Sequence, residues 1–207
     1  MLRYLIIESK NEIKSDEQMI VSIFSEFINF DRIETEQKAI HLYYQQETDV
    51  SFLDIILNMM SDTLSDLRIY VSFQFDNEFD LNTHKDFIQR KLQLIPFNKY
   101  VYLDDKVILK ALLDKVDSEM KKFIFRKYLN DSVMQESIKI YLESNQNMSL
   151  AAKKLYVHRN TLIQRLDKFH QTTGFDVRVF SDAYLIYHLM KWKCVHIAHF
   201  FYAIELL

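Results

Sequence analysis

The chain has 207 residues, of which 49% are hydrophobic, and a formal net charge of −3 at pH 7. That hydrophobic fraction is enough to build a packed core, which argues against a disordered chain. The single Gly and single Pro exclude P-loop and dinucleotide-binding enzymes, because their phosphate-binding loops need at least two glycines.

The cysteine content and the absence of long apolar runs indicate where the protein works. The one cysteine, Cys194, rules out an internal disulfide framework and fits a reducing compartment. The N-terminus shows no signal segment, and no run of about 18 uncharged apolar residues is present. We therefore expect a cytoplasmic protein that does not associate with a membrane.

The first hundred residues alternate between strand and helix patterns. Short apolar or alternating runs predict strands at residues 2–8, 38–44, 67–75 and 99–103. Apolar residues at helical spacing predict helices at residues 16–30, 51–64 and 83–94. This order predicts a small sheet with helices packed on it. Three nearby carboxylates, Asp76, Glu78 and Asp80, are read as a solvated acidic turn and not as a metal or acid–base cluster.

From Asp104 onward the pattern is helical only. We divide the chain into a sensor or dimerisation domain at 1–104, a connecting helix at 105–130, a helix-turn-helix domain at 131–193 and an apolar helical extension at 194–207. The boundary is expected within about ten residues of Lys127. The fold class is therefore α+β, with a small sheet-and-helix domain followed by an all-α domain.

Basic charge is concentrated in the C-terminal half. Residues 121–193 contain 13 Lys and Arg against 6 Asp and Glu, a net charge of +7, whereas the remainder has a net charge of −10. This asymmetry favours a C-terminal half that binds a polyanion and an N-terminal half that contacts a protein or a ligand.

Residues 147–166 predict two short helices joined by a tight turn, the outline of a helix-turn-helix. Ser149 is the expected N-cap of the first helix. The small side chains of Ala151 or Ala152 would let the two helices cross closely. Leu162, Leu166 and Phe169 form the apolar stripe of the second helix, and Gly174 marks its end.

The remaining faces of the helix pair carry the candidate DNA contacts. Arg159 and Gln164 are expected to reach base edges, because Arg pairs bidentately with guanine and Gln with adenine. The side chains of Asn160 and Thr161 suit bases or phosphates, and His158 suits a phosphate or the helix start. Phosphate contacts are expected from Lys153, Lys154, Arg165 and Lys168. Ser149, at the start of the first helix, is also counted among the DNA-binding residues. The alternative is an ordinary amphipathic helix with solvated charges.

The segment from about 132 to 189 resembles the C-terminal helix-turn-helix domain of PucR/CdaR-family bacterial transcriptional regulators. The resemblance rests on residues 140–145, 147–149, 151–152, 155–162, 165–166 and 173–174, with 157–162 the most specific run. It implies a DNA-binding fold similar to that of the factor-for-inversion-stimulation proteins. Gln146 stands where many family members carry Gly, and Tyr156 stands at a turn position that is Gly in many other helix-turn-helix proteins.

A weaker resemblance covers the N-terminal half. Residues 100–105, 109 and 112–113 are similar to a degenerate diguanylate-cyclase (GGDEF-like) fold that often precedes the DNA-binding domain in this family. The sequence has no Gly-Gly-Asp-Glu-Phe segment, so cyclase chemistry is not expected. The chain looks like a short family member that lacks an upstream sensor domain.

These patterns predict a sequence-specific DNA-binding regulator and no enzyme. We expect a homodimer on double-stranded DNA, because one short helix reads too few base pairs. Two alternatives stay open: an interaction protein that heterodimerises with a full-length relative, and an N-terminal module that binds a small-molecule effector. No catalytic residue and no cofactor are expected, and His188, Cys194, His196 and His199 lack the spacing of a zinc site.

Overall fold

A computed structural model of the chain describes residues 1–45, 51–62 and 66–191. The chain divides into two compact units, Met1–Ala111 and Leu112–Leu207. This division falls earlier along the chain than the neighbourhood of Lys127, so the residues expected to connect the domains, 105–130, are shared between the two units.

The described residues of the N-terminal unit form a five-stranded sheet. Its strands are β1 (Arg3–Ser9), β2 (Arg32–Thr35), β3 (Ala39–Tyr44), β4 (Leu67–Val71) and β5 (Tyr102–Leu103). The strand order is β2-β3-β1-β4-β5. Only the edge pair β4–β5 is parallel, and the other three pairs are antiparallel. This mixed α+β architecture agrees with the predicted fold class.

Four α-helices among the described residues connect and cover the strands: α1 (Glu17–Ser25), α2 (Phe52–Asp62), α3 (Glu78–Leu92) and α4 (Asp105–Ala111). The order β1-α1-β2-β3-α2-β4 is the ferredoxin-like split βαβ arrangement. Ile20 and Phe24 of α1 and Ile56 of α2 share a core with Leu5 and Leu42 of the sheet. The GGDEF-like description of this unit stays a prediction.

Helix α3 contributes to a buried polar network within the same unit. The hydroxyl of Tyr4 lies 2.9 Å from His84 Nδ1, and both residues are buried. The hydroxyl of Tyr70 donates to Asp105 Oδ1 at 2.5 Å, and Asp105 also lies 3.4 Å from His84 Nε2. The network therefore ties the first turn of α4 to the centre of the sheet.

Several element boundaries differ from those predicted. Strand β2 was not predicted, because its residues are polar or charged except Ile33 and its burial is low. Strand β4 ends at Val71 rather than at residue 75. Helix α3 begins five residues before residue 83, where the Asn77 side chain accepts a hydrogen bond from the Asp80 N–H. The acidic turn predicted for these carboxylates is therefore in part the first turn of α3, where the helix dipole favours Glu78 and Asp80, and all three carboxylates are exposed.

The regular elements among the described residues of the C-terminal unit are all helices. Its α-helices are α5 (Ser118–Phe125), α6 (Ser132–Glu143), α7 (Met148–Lys154), α8 (Arg159–Thr173) and α9 (Phe180–Lys191). Phe169 of α8 packs against Phe125 and Tyr128, with ring centroids 5.9 and 5.8 Å apart. The predicted extension at 194–207 lies outside the described residues. None of the described helices is both long and apolar enough to span a bilayer.

Candidate nucleic-acid interface

Helix α7 begins at a cap that differs from the predicted one. The side chain of Asn147 accepts a hydrogen bond from the Leu150 N–H at 3.0 Å, whereas Ser149 is an exposed residue inside the first turn. The prediction of Ser149 as N-cap was therefore wrong. Asn and Ser cap helices about equally well, and only the backbone path decides between two candidates spaced two residues apart.

Both turns that border α7 use left-handed backbone without glycine. Gln146 has φ 58° and Tyr156 has φ 54°. The N–H of Gln146 donates to the Tyr141 carbonyl at 3.1 Å, and Gln146 Nε2 donates to the Val177 carbonyl at 2.8 Å. A left-handed residue other than glycine costs about 1 kcal/mol, so the side-chain bond of Gln146 offsets part of this cost.

Helix α8 has a cap at each end. His158 precedes it with extended backbone, and its Nδ1 accepts a hydrogen bond from the Asn160 N–H at 3.2 Å. Gly174 follows it with φ 79°, and its N–H donates to the His170 carbonyl at 2.8 Å. The prediction that Gly174 ends this helix is confirmed, since a positive φ there suits the residue without a Cβ.

The buried side of α8 fixes which residues face outward. Leu162, Leu166 and Phe169 are at most 1% exposed, which confirms the predicted stripe. Ala151 and Ala152 of α7 are also buried, as a close crossing requires. The predicted contact residues that lie exposed are Ser149, Lys153, Lys154, His158, Arg159, Asn160, Thr161, Gln164 and Lys168.

Four exposed residues of α8 form a ridge along one side of the helix. Asn160, Gln164, Lys168 and Gln171 follow one another at spacings of four, four and three residues, which aligns them on a single face. Arg159 is exposed in the first turn, but it stands about 140° around the helix axis from Gln164. The structure therefore places the two predicted base-reading residues on different sides of α8.

Arg165 is held differently from the other predicted phosphate contacts. It is half-buried, and its Nη1 donates to Ser137 Oγ of α6 at 2.8 Å. The fully buried Ser137 hydroxyl in turn donates to the Val133 carbonyl at 2.7 Å. Part of the Arg165 guanidinium thus connects α8 to the neighbouring helix.

The charge of the helix pair is strongly positive. Residues 148–173 contain five Lys and Arg and one acid, Asp167. Asp167 Oδ1 accepts from Arg178 Nη1 at 2.7 Å. The side chains of Lys153, Lys154 and Arg159 make no hydrogen bond or ion pair with any other residue in the described part of the chain. These cations are free to meet an external polyanion.

Two residues of this surface were missed from the sequence. Gln171 is exposed on the ridge of α8, and its spacing of seven residues from Gln164 is the signal that would have identified it. Arg178 follows α8 in the chain and returns to contact it, which no spacing rule predicts.

Within residues 1–45, 51–62 and 66–191, no group of three His, Cys, Asp or Glu side chains has a metal-binding arrangement. Of the four residues considered for zinc, Cys194, His196 and His199 lie outside the described residues. His188 is exposed on α9.

Comparison with known proteins identifies the helix-turn-helix part. Residues 134–192 match the PucR C-terminal helix-turn-helix domain. The chain is 36% identical over 80 residues to the uncharacterized protein YxkF of Bacillus subtilis (strain 168). That alignment covers 39% of this chain and 26% of that protein. It is also 36% identical over 63 residues to the purine catabolism regulatory protein of the same organism. That alignment covers 27% of this chain and 12% of that protein.

The matched segments thus span about a quarter and about an eighth of these two relatives. Among solved structures, a regulator of polyketide synthase expression from Bifidobacterium adolescentis aligns with 91% of this chain and 78% of its own length. The sequence identity is 16% and the TM-score is 0.44.

Proposed function

We propose that this chain is a DNA-binding transcriptional regulator that inserts α8 into the major groove and reads sequence there. The observation that carries the proposal is a PucR-type helix pair whose outward side bears cations without partners among the described residues. A positive, solvent-exposed helix beside a second short helix is the arrangement that helix-turn-helix proteins place on a duplex. The purine catabolism regulatory protein, which is 36% identical to this chain over 63 residues, supports the regulatory role.

The exposed residues divide into two groups by the contacts that they would make. Gln164 and Asn160 carry amide groups suited to adenine, and Arg159 carries a guanidinium suited to guanine. Lys153, Lys154 and Lys168 carry point charges suited to phosphates, which add affinity without sequence information. Sequence preference should therefore depend on the first group, and salt dependence on the second.

The proposal extends to the working form of the protein. We infer a cytoplasmic homodimer, because two copies of α8 on adjacent half-sites double the number of base pairs that are read. The N-terminal unit would then dimerise the chain or bind a small-molecule effector.

The test begins by selecting binding sites from a random duplex library with the purified chain. Arg159→Ala and Gln164→Ala should each relax preference at particular positions of the selected site, with a loss of about 1–3 kcal/mol on that site. Lys153→Ala should weaken binding to all sequences alike and lower the salt slope by about one. Lys139→Ala, which removes the same charge from the exposed side of α6, is the matched control.

Two results would count against the proposal. If the wild-type chain enriches no duplex, the proposal that it binds DNA is contradicted. If both Arg159→Ala and Gln164→Ala keep the wild-type base preference, the proposal that α8 reads the DNA sequence is contradicted.

A further inference from the structure

A cluster of three charged side chains lies where α8 meets the segment that follows it. Arg178 Nη1 donates to Asp167 Oδ1 at 2.7 Å, and Arg178 Nε donates to Asp176 Oδ1 at 2.7 Å. Arg178 Nη2 completes a two-point contact with Asp176 at 3.0 Å. One guanidinium therefore holds two carboxylates.

The position of Asp167 makes this cluster relevant to the DNA-facing surface. Asp167 is the single acid of α8, and it stands beside the ridge formed by Asn160, Gln164, Lys168 and Gln171. Its side chain is 41% exposed, so its carboxylate is accessible at the surface of α8. An unpaired carboxylate there would repel the phosphates that the neighbouring lysines attract.

Arg178 is held firmly in this role by Asp176. Burial alone would raise the pKa of Asp176, but the hydrogen bonds and charge of Arg178 lower it below its ordinary value. The hydrogen bonds that Arg178 donates to Asp176 and Asp167 raise the pKa of Arg178. The Nε and Nη2 atoms of Arg178 hold the guanidinium on Asp176. Its third nitrogen, Nη1, can therefore bind Asp167 without further loss of side-chain entropy.

We propose that Arg178 is a positioning residue for DNA binding, which covers the Asp167 carboxylate and so keeps the phosphate-facing side of α8 free of an unpaired negative charge. The inference rests on the proposed function, since it concerns the surface that meets the duplex. The cluster carries a net charge of −1 with Arg178 and would carry −2 without it.

Four forms of the full chain test this role by titration of a labelled duplex. At an ionic strength of about 50 mM, Arg178→Gln should weaken binding about threefold to tenfold, and the difference should shrink as salt is added. Asp167→Asn should bind as well as wild type or more tightly. The double variant Asp167→Asn with Arg178→Gln has the wild-type net charge and should return to within about twofold of wild type.

A matched control removes the same charge elsewhere in the unit. Lys191 pairs with Glu143 of α6 at 3.1 Å and does not pair with α8, so Lys191→Gln should lower affinity less than Arg178→Gln. Thermal melting of each variant checks that it is folded. If Arg178→Gln fails to fold, the binding of Asp167→Asn alone tests the role of Arg178. Weaker duplex binding by Asp167→Asn than by wild type contradicts that role.

The remaining outcomes separate the two proposals. Unchanged binding by Arg178→Gln overturns the inference. So does a double variant as weak as Arg178→Gln, which would mean that Arg178 contacts phosphate directly or only supports the fold. A wild-type chain that binds no duplex overturns the proposed function and this inference together, whereas normal wild-type binding without the charge rescue overturns the inference alone.

Discussion

His41 is a titratable residue in the middle of a buried strand. It is 1% exposed on β3, and Glu36 Oε1 lies 3.3 Å from its Nε2. The geometry of this approach is not that of a hydrogen bond, and neither ring nitrogen has such a partner among the described residues. Burial lowers the pKa of His41 below its ordinary value of 6.5, and the charge of Glu36 only partly opposes this shift. The folded chain therefore favours the neutral imidazole.

This burial predicts an acid-sensitive stability. As the pH falls below about 6.5, His41 takes up a proton in the unfolded chain at a higher pH than in the folded chain. The free energy of unfolding should therefore fall as the pH is lowered toward the depressed pKa of His41 in the folded chain. The contribution of neutral His41 to the free energy of unfolding is fully present above the pKa that His41 has in the unfolded chain. Urea unfolding at pH 5.5 and about pH 7.5 should show a smaller pH effect in His41→Leu than in wild type.

His188→Leu, at an exposed position of α9, serves as the control and should keep the wild-type dependence. An equal pH effect in wild type and His41→Leu would show that His41 is not the group responsible.

At the scale of elements, the orientation of α8 depends on polar as well as apolar contacts. Its apolar stripe packs inward through Leu162 and Phe169, while Arg165 reaches sideways to Ser137 of α6. Apolar contacts tolerate small rotations of a helix, whereas a hydrogen bond to a buried hydroxyl is sensitive to angle. The Arg165–Ser137 bond should therefore set the rotation at which α8 presents its ridge.

The bond predicts energetic coupling between α6 and α8. A double-mutant cycle of Ser137→Ala and Arg165→Met should give a coupling free energy of about 0.5–1.5 kcal/mol in urea unfolding. The cycle of Ser137→Ala with Lys168→Met should give none, because Lys168 is exposed and the Ser137 hydroxyl bonds to Arg165 and Val133 instead. If Arg165 also binds phosphate, Arg165→Met should lower the salt slope of DNA binding by about one, and Ser137→Ala should not.

No coupling in the first cycle would leave Arg165 as an ordinary surface cation. It would also remove the argument that α6 sets the rotation of α8.

The elements that the sequence predicted well are those with strong local signals. Strands β1 and β3 and helices α6 and α8 are apolar runs or amphipathic repeats with clear ends, such as Gly174. Strand β2 is mostly polar and exists because β3 pairs with it, which no local pattern reveals. In the candidate site, the exposed residues follow from helical spacing. The partners of Asp167 and Arg165 depend on how the chain folds back, so they could not be predicted.

At the scale of the whole molecule, the chain consists of two compact units that each have their own buried residues. The helix-turn-helix unit begins at Leu112, and Phe125, Ile138 and Phe169 are fully buried within it. A unit with its own core is able to fold by itself. The α5 helix, which lies before the family match at 134–192, contributes to this core.

This organisation predicts that residues 112–207 fold as an independent fragment. Circular dichroism should show a helical fragment with one cooperative thermal transition. A fragment of residues 131–207 lacks Phe125 and Tyr128, so it should melt at a lower temperature or fail to fold, since truncating large core aromatics costs about 3–5 kcal/mol each. Equal melting temperatures for the two fragments would show that the family domain needs no help from α5.

The hydrogen bond between Tyr70 and Asp105 has a consequence for how the polypeptide leaves the first unit. Asp105 opens α4, the last element before the boundary at Ala111. A bond from a phenol to a carboxylate depends on angle and is stronger than a bond between neutral groups. Through this bond, a change at Tyr70 would reach the first turn of α4, the last helix of the first unit.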